Sequence, residues 1–499
     1  MAEMVQTSYN ICPNTRSVVA HLKPKFPPNL FAEYSGMYNF TIPTLILKDP
    51  DLIKQITVKD FDHFVDHNTF LPEEIDPLWG KNLFALTGQR WRDMRSTLSP
   101  TFTSSKMRHM FGLISQSGEQ FAKYLLKQEK EIVTIEMKDT FTRFTNDVIA
   151  NTAFGIECDS LENRDNDFFL MGQDATDLTS FWKGMKIFLH LIFPRLSRYS
   201  RVKLFSVKVS NFFNNLVKEN IASREKHGIV RPDMIHQLME ARKHGLKHEE
   251  NQPAHDTGFA TVEESEIGKN AKVQKTLITD EDIAAQALIF FFAGFETVSS
   301  LMVFVAYELA INPDIQQRLI QEVDEALFSC GGKLTYETLL SLKYLDMVIS
   351  ETLRLWPLTV GVDRVCTKPY TIEPKTPDEI PVHLIEKEVV FIPIYGLHRD
   401  PQYYPDPERF DPERFSDENK DNIKPYTYIP FGAGPRNCIG SRFALLETKA
   451  LFFHILSNFE IIPVEKTEIP VKISRKSFTL CPANGLWLGF KHRTRSLNI

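Results

Sequence analysis

The chain is patterned first and most strongly for helices. Apolar residues return at intervals of three, four and seven through Met107, Phe111, Ile114, Phe121 and Leu125, and again through Met137, Phe141, Phe144 and Val148. Such spacing lays an apolar stripe along one helix face, so two amphipathic helices packed on a core are predicted. Asp49-Pro50-Asp51 starts another helix into Leu52, Ile53 and Ile56, because aspartate caps free N–H groups and an early proline sacrifices none. Leu334 to Leu340 reads as the capped start of a short helix leading into Leu342–Trp356. From Ser441 to Phe459 the residues Phe443, Leu446, Ala450, Phe453 and Leu456 predict a buried helix. Strand signals are confined to a first hairpin in Tyr38–Leu47 and a last one in Ile469–Lys491, around the turn dipeptide Asn484-Gly485. The predicted class is mainly α with small β-sheets (α+β), and the chain carries no internal repeat.

Ile283–Ile311 is apolar for long enough to cross a bilayer. Glu296 and Thr297 interrupt it beside Ser299 and Ser300, however, and an acid at a bilayer centre costs about 2.5–3.5 kcal/mol. The segment therefore reads as a buried helix with a functional interruption. Ile289, Ala293 and Thr297 fall four apart on one face, Gly294 permits local loosening, and the Thr297 hydroxyl can bond back to the Ala293 carbonyl. A turn widened in this way holds water over a flat cofactor.

Composition narrows the function classes. The 499 residues are 42 % hydrophobic and include 38 phenylalanines, ample for one large core. A formal net charge of −6 gives no reason to expect nucleic acid as a partner. The six cysteines are scattered without a pairing pattern, which fits a reducing compartment. Residues 1–33 read as an irregular N-terminal remnant without the run of about 20 apolar residues that a membrane anchor needs, ahead of one domain over 34–499. Bulky apolar residues crowd Phe168–Asn220, and Ile187–Phe193 reads equally as a pocket roof or as a patch dipping into a membrane interface. Lys243–Lys275 turns polar, a solvated connector in which His244, His248 and His255 are read as solvated rather than as metal ligands.

The chemistry concentrates in Phe431-Gly-Ala-Gly-Pro-Arg-Asn-Cys438-Ile-Gly440, a rigid loop feeding the last helix. A cysteine before a helix start lies among free N–H groups at the positive end of the dipole, and Arg436 adds charge, so a thiolate is favoured. With no second cysteine near, a single thiolate points to haem iron. Glu351 and Arg354, one turn apart in an apolar context, are tolerable only if paired and further hydrogen-bonded. The doubled Pro-Glu-Arg-Phe at 407–410 and 412–415 offers Arg409 or Arg414 as a third member.

Together these runs resemble the cytochrome P450 superfamily, over roughly residue 34 to the C-terminus, and runs such as Pro77–Phe84 and Leu98–Lys106 resemble insect microsomal xenobiotic-metabolising members. The resemblance implies a helix-rich P450 fold and haem b with Cys438 as thiolate axial ligand. It implies that Phe431 and Arg436 belong to the haem-binding loop, and that Trp91, Arg95 and Arg364 join Arg436 at the haem propionates. It implies that Glu296 and Thr297 assist proton delivery in oxygen activation, and that Arg414 completes a triad with Glu351 and Arg354. Over the haem it places Ile289, Phe292 and Ala293, then Leu358, Thr359 and Val360, and Phe478. The implied reaction is monooxygenation of a small apolar xenobiotic, insecticide, plant toxin or hormone-like lipid. NADPH supplies the electrons through a diflavin cytochrome P450 reductase, with cytochrome b5 as a further partner, at the cytosolic face of the endoplasmic reticulum membrane. Arg92, Lys106, Arg108 and Arg442 are the cations expected to meet the reductase. The alternatives are a haem-thiolate isomerase or dehydratase needing no reductase, which has no use for an acid-alcohol pair, and a haem sensor or electron carrier, which needs no substrate roof.

Overall fold

The computed structural model describes residues 34–494 apart from 40–41, 70, 72, 178–180, 193–198, 200–202, 232, 245–256, 263–277, 376–379 and 475–478. Residues 1–33, His248, His255 and Phe478 thus lie outside the described residues. The α-helices of five or more residues follow in the order α1 (Pro50–Lys54), α2 (Gly88–Leu98), α3 (Ser104–Leu126), α4 (Met137–Ile149), α5 (Asp167–Thr176), α6 (Phe181–Ile192), α7 (Val207–His227), α8 (Met234–His244) and α9 (Asp280–Ile311). After these come α10 (Pro313–Ser329), α11 (Tyr336–Ser341), α12 (Lys343–Leu355) and α13 (Ser441–Leu456). The strands are β1 (Tyr34–Asn39), β2 (Ile42–Leu47), β3 (Ile132–Glu136), β4 (Val362–Val365), β5 (Tyr370–Ile372), β6 (Val382–Leu384), β7 (Val389–Ile392), β8 (Phe459–Pro463) and β9 (Trp487–His492). They form sheets of order β1-β2-β7-β4, β3-β9-β8 and β5-β6. Helices with three small sheets give the α+β class that the patterning predicts.

Helix α9 organises the packing. Its start is fixed by a capping box, in which the Thr279 hydroxyl accepts from the Asp282 N–H while Asp282 accepts from the Thr279 N–H. Three acidic residues in its first turn suit the positive end of the dipole. Leu301, Phe304 and Leu309 are fully buried, and each such side chain contributes about 1.5–3 kcal/mol by leaving water. Among the described residues α9 is the one helix long and apolar enough to cross a membrane, but most of its apolar window is buried in the protein. Its first half packs into one hydrophobic cluster, up to Phe295, and its second half into another from Val298 onward. Between them fall Glu296 and Thr297. Close approach here depends on small residues: a Cβ on Gly172 of α5 would lie 2.1 Å from Phe291 Cζ.

Two regions depart from the patterning. Asn484-Gly485 does not turn a hairpin; that stretch has only isolated bridges, and β9 instead pairs with β3 and β8, partners distant in sequence. The polar connector is also not uniformly solvated. Thr257 is buried, its carbonyl accepts from Lys449 Nζ at 2.7 Å, and the Phe259 N–H donates to Asp346 Oδ2 at 2.8 Å. The Phe259 ring lies 5.1 Å from that of Phe415 and 5.6 Å from that of Tyr428. One aromatic residue in a polar tract is thus enough to dock it. Phe259→Ala is expected to destabilise the protein by about 2 kcal/mol, less than a fully buried phenylalanine would cost; an unchanged thermal midpoint would show that the docked segment adds nothing to stability.

Candidate functional site

The cysteine loop is built on two left-handed glycines. Gly432 and Gly434 have φ of 77° and 71°, and a Cβ on Gly434 would lie 1.9 Å from the Thr57 carbonyl oxygen, so no larger residue fits. The Cys438 N–H donates to the Phe431 carbonyl at 2.8 Å and the Asn437 N–H to that of Gly434 at 2.9 Å, closing the loop just before α13. Arg95 on α2 holds it from the side, donating to the Asn437 carbonyl at 2.8 Å and to Asn437 Oδ1 at 2.6 Å. Cys438 is accessible. Enough protein nevertheless surrounds the sulfur for desolvation to raise its pKa, against the lowering effects of the Gly440 N–H and the Arg95 charge. Arg436 turns away, donating to the carbonyls of Val65 at 2.7 Å and Leu86 at 2.6 Å with its guanidinium 4.1 Å from the centre of the Trp91 ring.

Beside this loop lies a group of buried cations. Burial, with the charges of Arg364 and Arg95, pushes Arg436 down to about 9, and burial pushes Arg364 down to about 10. Arg364 donates to the carbonyls of Asp363 at 2.7 Å and Ala433 at 3.2 Å, while its buried Nε makes no hydrogen bond. The nearby carboxylates are Asp66, 3.5 Å from Arg436, and Asp363, which already accepts from the Asn68 N–H at 2.6 Å and bonds to His67 at 3.1 Å.

Beyond the cations, Glu351 and Arg354 on α12 have no solvent exposure. Arg354 donates to Glu351 through Nε at 2.7 Å and Nη2 at 2.8 Å, and to the carbonyls of His398 at 2.9 Å and Arg409 at 3.2 Å. Glu351 also accepts the Asp411 N–H at 2.8 Å and lies 3.5 Å from Arg414 Nε. Of the two candidates, then, Arg414 brings its side chain to the pair and Arg409 only its carbonyl.

Across from the loop, α9 presents a small-residue face. Ala293 is exposed in the middle of this helix, with Ile289, Phe292, Gly294, Glu296 and Thr297 half-buried around it. The Thr297 hydroxyl donates to the Ala293 carbonyl. Phe290 lies 5.3 Å from Phe102, and a Cβ on Gly440 would come 4.0 Å from that same Phe102 ring, so one aromatic side chain spans from α9 to the loop. Lys138 on α4, absent from the sequence reading, meets Glu296 at 3.1 Å. The signal for it was a cation in the first turn of a helix, where the dipole disfavours one.

The cytochrome P450 family profile matches residues 25–488. The chain belongs to the cytochrome P450 family. It is 49 % identical over 480 residues to cytochrome P450 9e2 of Blattella germanica, covering 93 % of this chain and 86 % of that one. It is 38 % identical over 462 residues to cytochrome P450 9c1 of Drosophila melanogaster, with coverage of 92 % and 85 %. To cytochrome P450 6k1 of Blattella germanica it is 37 % identical over 468 residues, with coverage of 94 % and 86 %. It is therefore a P450 monooxygenase with the α+β P450 fold, whose family implies haem held by a cysteine thiolate.

The residues present fit that group. A lone accessible thiol suits an axial ligand, and buried guanidiniums in excess of carboxylates, one with an unused Nε, suit an anionic edge. Of the residues expected over it, Thr359 is exposed, whereas Leu358 and Val360 are buried at 6 % and 8 % in the main cluster. Of the cations expected to meet a reductase, Arg442 is buried, Lys106 is half-buried, Arg92 pairs with Asp62 and Arg108 with Glu337.

Removing one partner of the buried pair leaves the other charge stranded, so Glu351→Ala is expected to cost about 3–5 kcal/mol and to abolish haem loading. A folded variant with a full haem spectrum would contradict this. His398 supplies a pH prediction. Its Nε2 accepts from the Ile429 N–H at 2.9 Å, and burial, aided by the Arg354 charge, pushes it from 6.5 down to about 3. Between those values the unfolded chain holds a proton that the folded one does not, so stability falls as pH falls through that window and is fully present above it. His398→Gln is expected to flatten the thermal midpoint against pH from 6.5 downward, only in part because His454 is likewise lowered, to about 4. An unchanged slope would assign the acid sensitivity elsewhere.

Proposed function

We propose that this P450 oxidises a small apolar substrate, a xenobiotic, insecticide, plant toxin or hormone-like lipid, with NADPH-derived electrons delivered by a diflavin reductase and cytochrome b5 as an accessory donor. The carrying observation is the apposition of an accessible Cys438 and the Ala293–Thr297 face of α9, the two sides joined through Phe102. Cys438 would hold the haem, with Phe431 and Arg436 in the loop behind it and Trp91, Arg95, Arg364 and Arg436 on its anionic edge. Bound there, haem supplies the oxygen-activating chemistry.

The other roles belong to the chain itself. Thr297 gives its hydroxyl proton to the Ala293 carbonyl, which turns the oxygen lone pairs outward to accept from a water on the exposed face. Glu296, the next residue, carries protons to that water from solvent. Ile289, Phe292, Ala293 and Thr359 present the apolar walls that hold substrate and exclude bulk water. Glu351, Arg354 and Arg414 hold the loop's support in place.

A location on the cytosolic face of the endoplasmic reticulum membrane is proposed from the family. It is supported by Trp182, Met185 and Phe188 on α6, exposed at 74, 47 and 45 % and three residues apart, which makes an apolar stripe suited to a lipid interface.

The reduced protein under carbon monoxide is expected to show the absorption maximum of thiolate ligation and, with reductase and NADPH, to form oxygenated product. Thr297→Ala should keep that spectrum while diverting electrons from product to peroxide. Nitrogen ligation would remove the haem-thiolate reading; product without reductase would favour an isomerase or dehydratase; equal coupling in parent and variant would remove Thr297 from proton delivery.

A further inference from the structure

Trp356 ends α12 with non-helical backbone angles, φ −125° and ψ 62°, because the ring of Pro357 disfavours the helical conformation in the residue before it. The main chain leaves the helix there in a direction that the Trp356 side chain has to fix. Helix α9 grips that side chain at two positions four residues apart, which share one helix face. Phe304 stacks on the indole with ring centres 4.6 Å apart and planes 5° from parallel, and Glu308 accepts the indole N–H through Oε1 at 2.8 Å. Glu308 is itself only 3 % exposed, and its Oε2 accepts from Asn312 Nδ2 at 3.1 Å. Burial pushes its carboxyl up from 4.5 to about 7, against the lowering effect of the Trp356 N–H. Charged or neutral, it keeps an oxygen for the indole.

Past Trp356 the chain runs through Pro357, Leu358, Thr359 and Val360 before β4, and its far end is fixed as firmly. The Val360 carbonyl accepts the Tyr395 N–H at 3.0 Å, and a Cβ on Gly361 would lie 2.3 Å from Phe391 Cζ. Arg399 joins the two ends, its guanidinium 5.4 Å from the centre of the Trp356 ring and 3.9 Å from that of Tyr395. Of residues 357–360, Thr359 alone is exposed. We propose that Glu308 is a positioning residue for the substrate wall: by holding the Trp356 indole it sets how far Leu358, Thr359 and Val360 stand from the space over the haem, and so which lengths of apolar substrate fit. Without that bond the indole can slide on Phe304, and the span, tied only at its far end, follows. The inference rests on the reading of 358–360 as part of the wall.

The probes are 1-alkylimidazoles from methyl to decyl, whose free ring nitrogen binds ferric haem iron and shifts its absorption band while the chain reports the depth of the pocket. Each is titrated into the haem-loaded parent, Glu308→Gln, Glu308→Ala, Trp356→Phe and Thr359→Phe, with the reduced carbon monoxide spectrum counting only protein that holds haem through thiolate. Glu308→Ala and Trp356→Phe are expected to change the affinity of the long probes relative to the methyl one by about fourfold for each methylene that gains or loses the wall. Glu308→Gln should match the parent, because its amide oxygen accepts the indole N–H. A role in stability alone would lower the thermal midpoint and leave the chain-length profile of the loaded protein as it was. Trp356→Phe keeps a ring on Phe304 and carries the test should Glu308→Ala fail to take up haem. A profile unchanged in Trp356→Phe while Thr359→Phe alters it overturns the positioning role and leaves the wall in place. A profile changed in Glu308→Gln as much as in Trp356→Phe overturns the hydrogen bond as its means. If Thr359→Phe leaves the profile as in the parent, the reading of 358–360 as wall falls and the inference with it.

Discussion

Two opposite charges, Glu351 and Arg354, stand one turn apart in a helix with no access to water. Each loses several kcal/mol of hydration, and their mutual attraction repays that only if the remaining donors and acceptors are also filled. Here they are filled from a single stretch of chain: the carbonyls of His398 and Arg409, the N–H of Asp411 and the side chain of Arg414. The pair thereby dictates the path of 398–414, a segment with little regular structure of its own. That path runs on into Phe431–Gly440, so the position of the thiol depends on a charge pair that never touches it. His398 shows how tightly the stretch is held, giving its carbonyl to Arg354 and accepting the Ile429 N–H on its ring.

Helix α9 meets a different constraint. It belongs to two hydrophobic clusters and is well packed in each, and at the boundary between them its side chains are only half-buried or exposed. Ala293, Gly294, Glu296 and Thr297 occupy that boundary. The carbonyls there carry more hydrogen bonds than a helix requires, Ala293 from Thr297, Phe295 from Ser299 and Thr145, Glu296 from Ser300 and Lys138. Extra donors draw electron density from the helical ladder, and they make the turn polar without breaking it.

What could be read from the sequence was what depends on neighbours in sequence. The periods of α3, α4, α9 and α13, the left-handed glycines before Cys438 and the one-turn spacing of Glu351 and Arg354 are all local, and the structure has the helices and the loop where the patterning put them. What escaped depends on distant partners. Lys138 meets a carbonyl 158 positions away, β9 finds its partner β3 far back in the sequence, and Phe259 docks on rings more than 150 residues downstream. Composition misled at 257–262 because one aromatic among polar residues hardly moves an average, although it is enough to anchor a turn. The Asn484-Gly485 dipeptide misled because turn propensity is outweighed when a neighbouring strand can complete a sheet elsewhere.

The electrostatics of the site carry one further step. Burial pushes the Cys438 thiol up and Arg364 and Arg436 down, in each case against the charged form. A small anion at the arginines would relieve two of these shifts and worsen the third. A cation at the sulfur alone would do the reverse, adding positive charge near guanidiniums that already repel one another. A rigid group with a metal cation at its centre and carboxylates along one edge would ease all three together, because it would bring each sign of charge to the side that lacks it. The buried charges beside the cysteine loop thus have the signs that the haem implied by the family would balance.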